Sequence, residues 1–354
     1  MKLAYTGSFD PFTNGHLHIV EKALGMSKDV SVHVIIADNP GKKHKFSAED
    51  RMLMVLQALK GRGTAVRVSI LPRDKFAVNW AKENGDDAML RGIRTEQDFQ
   101  DECGVYHANR LINDRMETVY VMPDINLSAV RSSSVMSLVG PYGWVFAADK
   151  LVPPVVMNQI CKKYCLARCK ITENMPRFED LVKIFSCYDK NYYHNWKHIA
   201  YFLMELSLTQ PDLASEVGVL MHDIVDPSKP EELDKILRNN YVPYANKCFE
   251  FLAATRHGHL PENLSEIQKI VHDIDMSVLS WDPEEYDIYA KNVEREYVEL
   301  HNVSPEDFNR GRIMFLTETL KRNVFLTSRY NEAKAIYNIK RELNGRLDGS
   351  WNLR

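Results

Sequence analysis

Tyr5–His16, YTGSFDPFTNGH, is the stretch around which the first half of the chain is organised. A short apolar run, Leu3 to Tyr5, leads into it, and an amphipathic segment, HLHIVEKALGM, follows. The pattern predicts a strand, a glycine-bearing turn and a helix. Such a turn collects backbone N–H groups and a helix N-terminus in one place, which suits a phosphate. Gly7 and Gly15 allow close backbone approach. His16, opening the helix, stands where it can donate to phosphate oxygens at the positive end of the dipole. A plain βα turn with a capping histidine is the blander reading.

The following residues repeat the same alternation. DVSVHVIIA at 29–37 is short, apolar and β-branched, as a buried parallel strand is. A turn with Asn39, Pro40 and Gly41 comes next, then the basic run Lys42, Lys43, His44 and Lys45. Ser47 with Asp50 predicts an N-cap for a helix over 47–60. Strands are expected at 65–71, 87–91 and 117–122, with helices at 76–84 and 95–111. The βαβα order implies a parallel sheet with helices on both faces. Ligands in such sheets bind beyond the carboxyl ends of the strands. The 7–16 turn, Lys42, Arg91 and the segment before Ser132 all fall there.

These motifs resemble the HxGH nucleotidyltransferases, and TNGH at 13–16 looks most like the phosphopantetheine adenylyltransferase family. NPGKKHKFSAEDR at 39–51, LRGIRTEQDFQDE at 90–102, SSS at 132–134 and VPPVV at 152–156 match that family's further segments in order. The resemblance covers about residues 1–160 and implies a Rossmann-like doubly wound sheet. It implies adenylyl transfer from ATP, with Mg²⁺, to 4′-phosphopantetheine, giving dephospho-coenzyme A and pyrophosphate. It further implies that Ser8 and His16 contact the ATP phosphates, with Phe9 and Gly15 in the same nucleotide-binding turn. Lys42 would bridge the attacking phosphate and the nucleotide, and Arg91 would hold a phosphate. Arg94 and Glu102 would lie near the nucleotide, and Ser132 and Ser133 would bind the β and γ phosphates. Relatives of this kind assemble into oligomers, so a homo-oligomer is expected. The chemistry is consistent with the residue types. Attack of a phosphate monoester on the α-phosphorus needs positioning and positive charge rather than a protein nucleophile. Ser8 stands where many relatives have threonine, and Arg131 where an apolar residue is usual. Lys43 and Lys45 read as a solvated loop, Ser134 as a helix cap, and Glu102 has a plain reading as a surface carboxylate paired with a neighbour.

At 354 residues the chain has room for two domains, and 45% hydrophobic residues support real cores. A net charge of −3 gives no reason to expect nucleic acid. No apolar run is long enough for a membrane, and no signal-peptide pattern opens the chain. Six cysteines suggest reduced thiols and a cytoplasmic protein. Cys161, Cys165 and Cys169 recur every four residues, which reads as one half-buried helix stripe, with a metal site as the less economical alternative.

A linker is expected over Gly140 to Pro154. Beyond it strand signals vanish, and helical periods dominate over about 170–354, which predicts an all-α domain. It carries YYHNWKHI at 192–199, MHD at 221–223 and DID at 273–275. This set resembles the HD superfamily of metal-dependent phosphohydrolases, and most closely its small members. Those also share a Thr-x-His (Thr255 and His257) and a segment like Arg295 to Tyr297. The resemblance implies His198, His222, Asp223 and Asp275 as metal ligands, with Asp273 as an alternative fourth and His194 as proton donor or phosphate contact. His257 and His259 could hold a second ion, and Glu231 could stand in for a carboxylate usual after the HD pair. Two imidazoles and two carboxylates suit Mn²⁺, Fe²⁺, Co²⁺, Ni²⁺ or Zn²⁺, which would polarise the phosphoryl oxygens of a nucleotide-like ester. The first expectation is therefore a bifunctional enzyme. The alternatives are a helical half that binds a nucleotide only to regulate, and nicotinamide mononucleotide as the acceptor, against which the TNGH form argues.

Overall fold

The computed structural model describes residues 1–39, 41–174, 178–224, 235, 250, 251, 253–255 and 260–351. The chain divides into two compact units, Met1–Ile160 and Cys161–Arg354.

In the first unit the strands are β1 (Lys2–Gly7), β2 (Ser31–Ile36), β3 (Val66–Ile70), β4 (Ala88–Gly92) and β5 (Glu117–Val121). They form a five-stranded sheet in the order β3-β2-β1-β4-β5. Every pairing is parallel, with Leu3 opposite both Val32 and Ala88. The central strands are fully buried, so their sequences run apolar: Leu3, Val34, Ile35 and Leu90 show no exposure. The helices are α1 (Asn14–Gly25), α2 (Ala48–Ala58), α3 (Ala77–Glu83), α4 (Glu96–Ile112), α5 (Ser132–Leu138) and α6 (Trp144–Asp149). The caps are those the sequence offers, with Thr13, Ser47 and Thr95 accepting from the N–H groups of His16, Asp50 and Asp98. From β1 the sheet grows through β2 and β3 on one side, and the chain then crosses back to add β4 and β5 on the other. A crevice opens at that switch, beyond the carboxyl ends of β1 and β4.

The stretch expected as a linker, 140–154, is instead built into this unit. Gly143, at φ +85°, opens α6, and Trp144, Val145 and Ala148 of that helix are buried. The Leu151 carbonyl then accepts the Asn14 N–H at 2.9 Å, tying this segment to the first motif. Prolines and glycines mark the ends of the short helix rather than a spacer.

The second unit is helical throughout its described residues. After α7 (Pro154–Arg168), which crosses the division, come α8 (Phe178–Phe185), α9 (Trp196–Leu206), α10 (Leu213–Met221), α11 (Glu266–Met276), α12 (Pro283–Arg295), α13 (Pro305–Thr319) and α14 (Glu332–Leu347). The helical periods in the sequence at 231–238 and 244–256 lie mostly outside the described residues. Tyr286, Leu316 and Ile339, with no exposure, anchor a core between α12, α13 and α14. Cys161, Cys165 and Cys169 are fully buried rather than half-buried, and the last two face the carbonyls of Trp196 and Glu216. Among the described residues, no helix is long and apolar enough to cross a membrane.

Candidate active sites

The first site occupies the crevice above β1 and β4, an open cleft of about 380 Å³. Ser8, Phe9, His16, Lys42, Arg91, Arg94, Glu102, Ser132 and Ser133 all line it. Gly15 does not. It is buried under the turn, where an added Cβ would meet the Val130 carbonyl at 3.1 Å. Four cationic side chains, Lys42, Arg91, Arg94 and Arg131, face two carboxylates, Asp98 and Glu102, so the cleft is positive.

His16 is held by its own turn. The Thr13 N–H donates to His16 Nδ1 at 3.0 Å, and the Thr13 hydroxyl caps the His16 N–H. A ring that accepts at Nδ1 carries its proton on Nε2. Burial, helped by Arg94, holds the imidazole down at about 3. His16 is therefore a neutral, pre-aimed donor. The Phe9 ring supports it from beneath, perpendicular to the imidazole at 5.1 Å between centroids. Phe9 sits at φ +45° with its side chain buried, so its backbone meets the cleft while its ring packs below. Gly7 makes room for that ring, since a Cβ at Gly7 would come within 2.9 Å of it.

Arg91 is oriented rather than free. Its Nε donates to Glu102 at 2.7 Å and its other nitrogens reach the second Glu102 oxygen and the Thr6 carbonyl. Glu102 is thus both a paired carboxylate and a wall of the cleft. The Ser132 hydroxyl donates to the Pro11 carbonyl at 2.8 Å, while Ser133 is exposed. Arg131 pairs with Asp98 at 3.0 Å.

Two residues inside the quoted motifs were given no role by the sequence reading and hold the site together. Asp10 is buried and accepts the N–H groups of Lys45 and Phe46 at 2.7 and 3.0 Å, fixing the loop that carries Lys42. Arg51, with no exposure, donates to the carbonyls of Ser8, Ala37, Phe46 and Ser47 and to Asp38. The signal was present in the FDP and EDR triplets, but nothing in one sequence separates such supports from ligand contacts.

A sequence model of the cytidylyltransferase-like family matches residues 4–137. The chain is 38% identical over 159 residues to a phosphopantetheine adenylyltransferase of Synechococcus sp. strain CC9902, covering 44% of this chain and 91% of that protein. Phosphopantetheine adenylyltransferases of Campylobacter hominis and Streptococcus pyogenes serotype M2 match at 34% over 161 residues and 37% over 158. Those alignments span 46% and 45% of this chain, and 96% and 93% of the relatives. The chain belongs to the phosphopantetheine adenylyltransferase family. Membership rests on the first unit, where the alignments and the cleft coincide.

Outside the adenylyltransferase-family unit, a second site forms where α9, the end of α10 and α11 converge. His198 and His222 present Nε2 atoms 3.4 Å apart. Asp223 approaches them at 3.4 and 3.2 Å, and Asp275 lies 3.7 Å from each. The Asn195 side chain caps α9 and places His198 one turn in. His222 donates Nδ1–H to the Val219 carbonyl at 2.6 Å, which turns its Nε2 toward the cluster. Burial opposes charge on His222, yet Asp223 and Asp275 outweigh it and push the ring up to about 9. Burial holds His198 down at about 4 against Asp223. The proton on His222, held by Asp223 and Asp275, lies where a cation would sit. The donor set fits a divalent ion: two imidazole nitrogens, carboxylates, and a buried Asp223 Oδ2 with no hydrogen-bond partner among the described residues.

His194 stands beside this cluster. Glu296, itself buried, takes the His194 Nδ1–H at 2.6 Å and the backbone N–H groups of Tyr193 and His194. Burial works against a charged His194, but Asp223 and Glu296 raise it above the ordinary histidine range. Asp273, expected as an alternative fourth ligand, is committed elsewhere. Its two oxygens accept from the Leu326 and Thr327 N–H groups at 2.6 and 2.8 Å. Glu231, His257 and His259 lie outside the described residues.

Proposed function

We propose that the first unit transfers AMP from ATP to 4′-phosphopantetheine. A phosphate oxygen of the acceptor forms a bond to the α-phosphorus, and the bond from that phosphorus to the bridging oxygen breaks, releasing pyrophosphate. The observation that carries this is the locked, neutral His16 aimed into a positive cleft built at the sheet's switch point. Its Nε2–H meets charge that grows on the transferring group, and because the ring is fixed beforehand little reorganisation opposes the reaction. Arg91, oriented by Glu102, and Lys42, on the loop pinned by Asp10, supply the positive charge. The names of the relatives support the acceptor. Offering 4′-phosphopantetheine and nicotinamide mononucleotide in competition tests this, and exclusive use of the latter would overturn the acceptor.

We infer that the second unit is an HD-type phosphohydrolase. His198, His222, Asp223 and Asp275 would hold a divalent ion. When bound, that ion would supply positive charge for the phosphoryl oxygens and make water a better nucleophile at phosphorus. His194, held by Glu296, keeps a proton available for the departing oxygen. The convergence of His198, His222 and Asp223 around one point carries this reading. Metal analysis of purified protein together with turnover of a nucleotide panel with Mn²⁺ tests it. Absence of both would leave a regulatory nucleotide-binding module.

A further inference from the structure

A cavity of about 360 Å³ lies within the second unit, and His194 forms part of its wall. Tyr289, Tyr297, Phe308 and Phe315 supply aromatic faces, with Tyr297 and Phe308 rings 5.6 Å apart. Arg312 is the guanidinium in the wall, with the Asp307 carboxylate also lining it, and Arg312 is already paired. Glu342 accepts two of its N–H groups at 3.0 Å each, and the Tyr289 hydroxyl accepts another at 3.2 Å. The cavity therefore favours a neutral, flat group over a second anion.

The position of His194 says which group this is. A proton donor must sit on the side of the leaving oxygen. The alcohol portion of a phosphate ester split at the His198–His222–Asp223 cluster then lies toward His194, and so toward the cavity. We propose that the cavity holds the base of a nucleoside phosphate whose phosphate lies at that cluster, an assignment that rests on the hydrolase reading of this unit. Stacking of a base on aromatic side chains is favourable and tolerates different bases. The site is accordingly built to accept nucleosides by shape, with little edge recognition.

Gly311 allows a test that leaves the fold alone. It lines the cavity from α13, and an added Cβ there meets no atom within 4 Å. AMP binding to the full chain is measured by calorimetry for wild type, Gly311→Ala and Gly311→Phe, with melting temperature and metal content alongside. The expected result is a binding event retained in Gly311→Ala and weakened at least tenfold in Gly311→Phe, with metal content unchanged. Because Gly311 belongs to the second unit, that difference is separate from AMP binding at the first. Equal affinity in all three proteins, or no such event in wild type, would overturn the cavity assignment even if the wild type hydrolyses nucleotides. Loss of the event in Gly311→Phe without turnover of any nucleotide would keep the cavity and remove the hydrolase reading.

Discussion

The backbone N–H of Thr13 donates to Nδ1 of His16 at 3.0 Å. That bond fixes the tautomer, and burial keeps the ring neutral, so the chain presents an uncharged donor where a triphosphate would lie. His16→Ala should lower kcat of adenylyl transfer by about 10²–10³-fold. KM for ATP should move much less, because the contact strengthens as charge develops. Steady-state kinetics check this, and an unchanged kcat would remove His16 from the mechanism.

The same ring predicts a pH signature. Its folded value is about 3, against 6.5 for an ordinary histidine. Between those values the unfolded chain binds a proton that the folded chain refuses, so this residue's effect is to make stability fall as pH drops through that window. Above 6.5 both states are neutral and the effect vanishes. In a histidine-resolved NMR titration His16 should show no midpoint between pH 5 and pH 8. A midpoint near 6.5 would contradict the buried, Nδ1-bonded state.

Arg51 tests the support beneath the site. Arg51→Met removes the guanidinium donor from the carbonyls of Ser8, Ala37 and Phe46 and leaves Asp38 with Arg73 alone of its two guanidinium partners. The cost should be about 3 kcal/mol, the low end for breaking a buried ion pair, because Asp38 is partly exposed. For a unit of this size that is a fall of roughly 6–12 °C in melting temperature. A shift below about 2 °C in calorimetry would show that water replaces those contacts.

Asp223 and His194 should separate in the second unit. Asp223→Asn removes a charge from the cation site, so bound metal and hydrolysis should disappear together. His194→Gln should keep the metal and slow turnover by about 10²-fold or more, as loss of a general acid does. Elemental analysis beside a phosphate-release assay distinguishes them. Metal lost equally in both variants would place His194 among the ligands instead.

Much of this was legible from the residues. The TNGH turn, the βα alternation and the capping residue Ser47 follow from spacing and side-chain chemistry. The grouping of His198 with the His222–Asp223 dipeptide came instead from the resemblance to HD phosphohydrolases, since His222 and Asp223 follow the end of their helix. Less legible were positions whose role depends on distant partners. Asp10 and Glu296 look like surface carboxylates until the fold brings them backbone N–H groups 35 and 102 residues away. Asp273 and Asp275 differ by two positions, and only tertiary packing turns one toward Thr327 and the other toward the histidines. Trp144 shows how a stretch rich in glycine and proline can still fold into the core.

Adenylyl transfer to 4′-phosphopantetheine by the first unit is open to direct test. The most direct measurement uses the full chain with Mg²⁺, 4′-phosphopantetheine and ATP labelled at the α-phosphorus, with products resolved by mass. The account predicts label in dephospho-coenzyme A and an equal amount of unlabelled pyrophosphate, both strongly reduced in His16→Ala. Label remaining in ADP or in free AMP, with the acceptor unchanged, would contradict it.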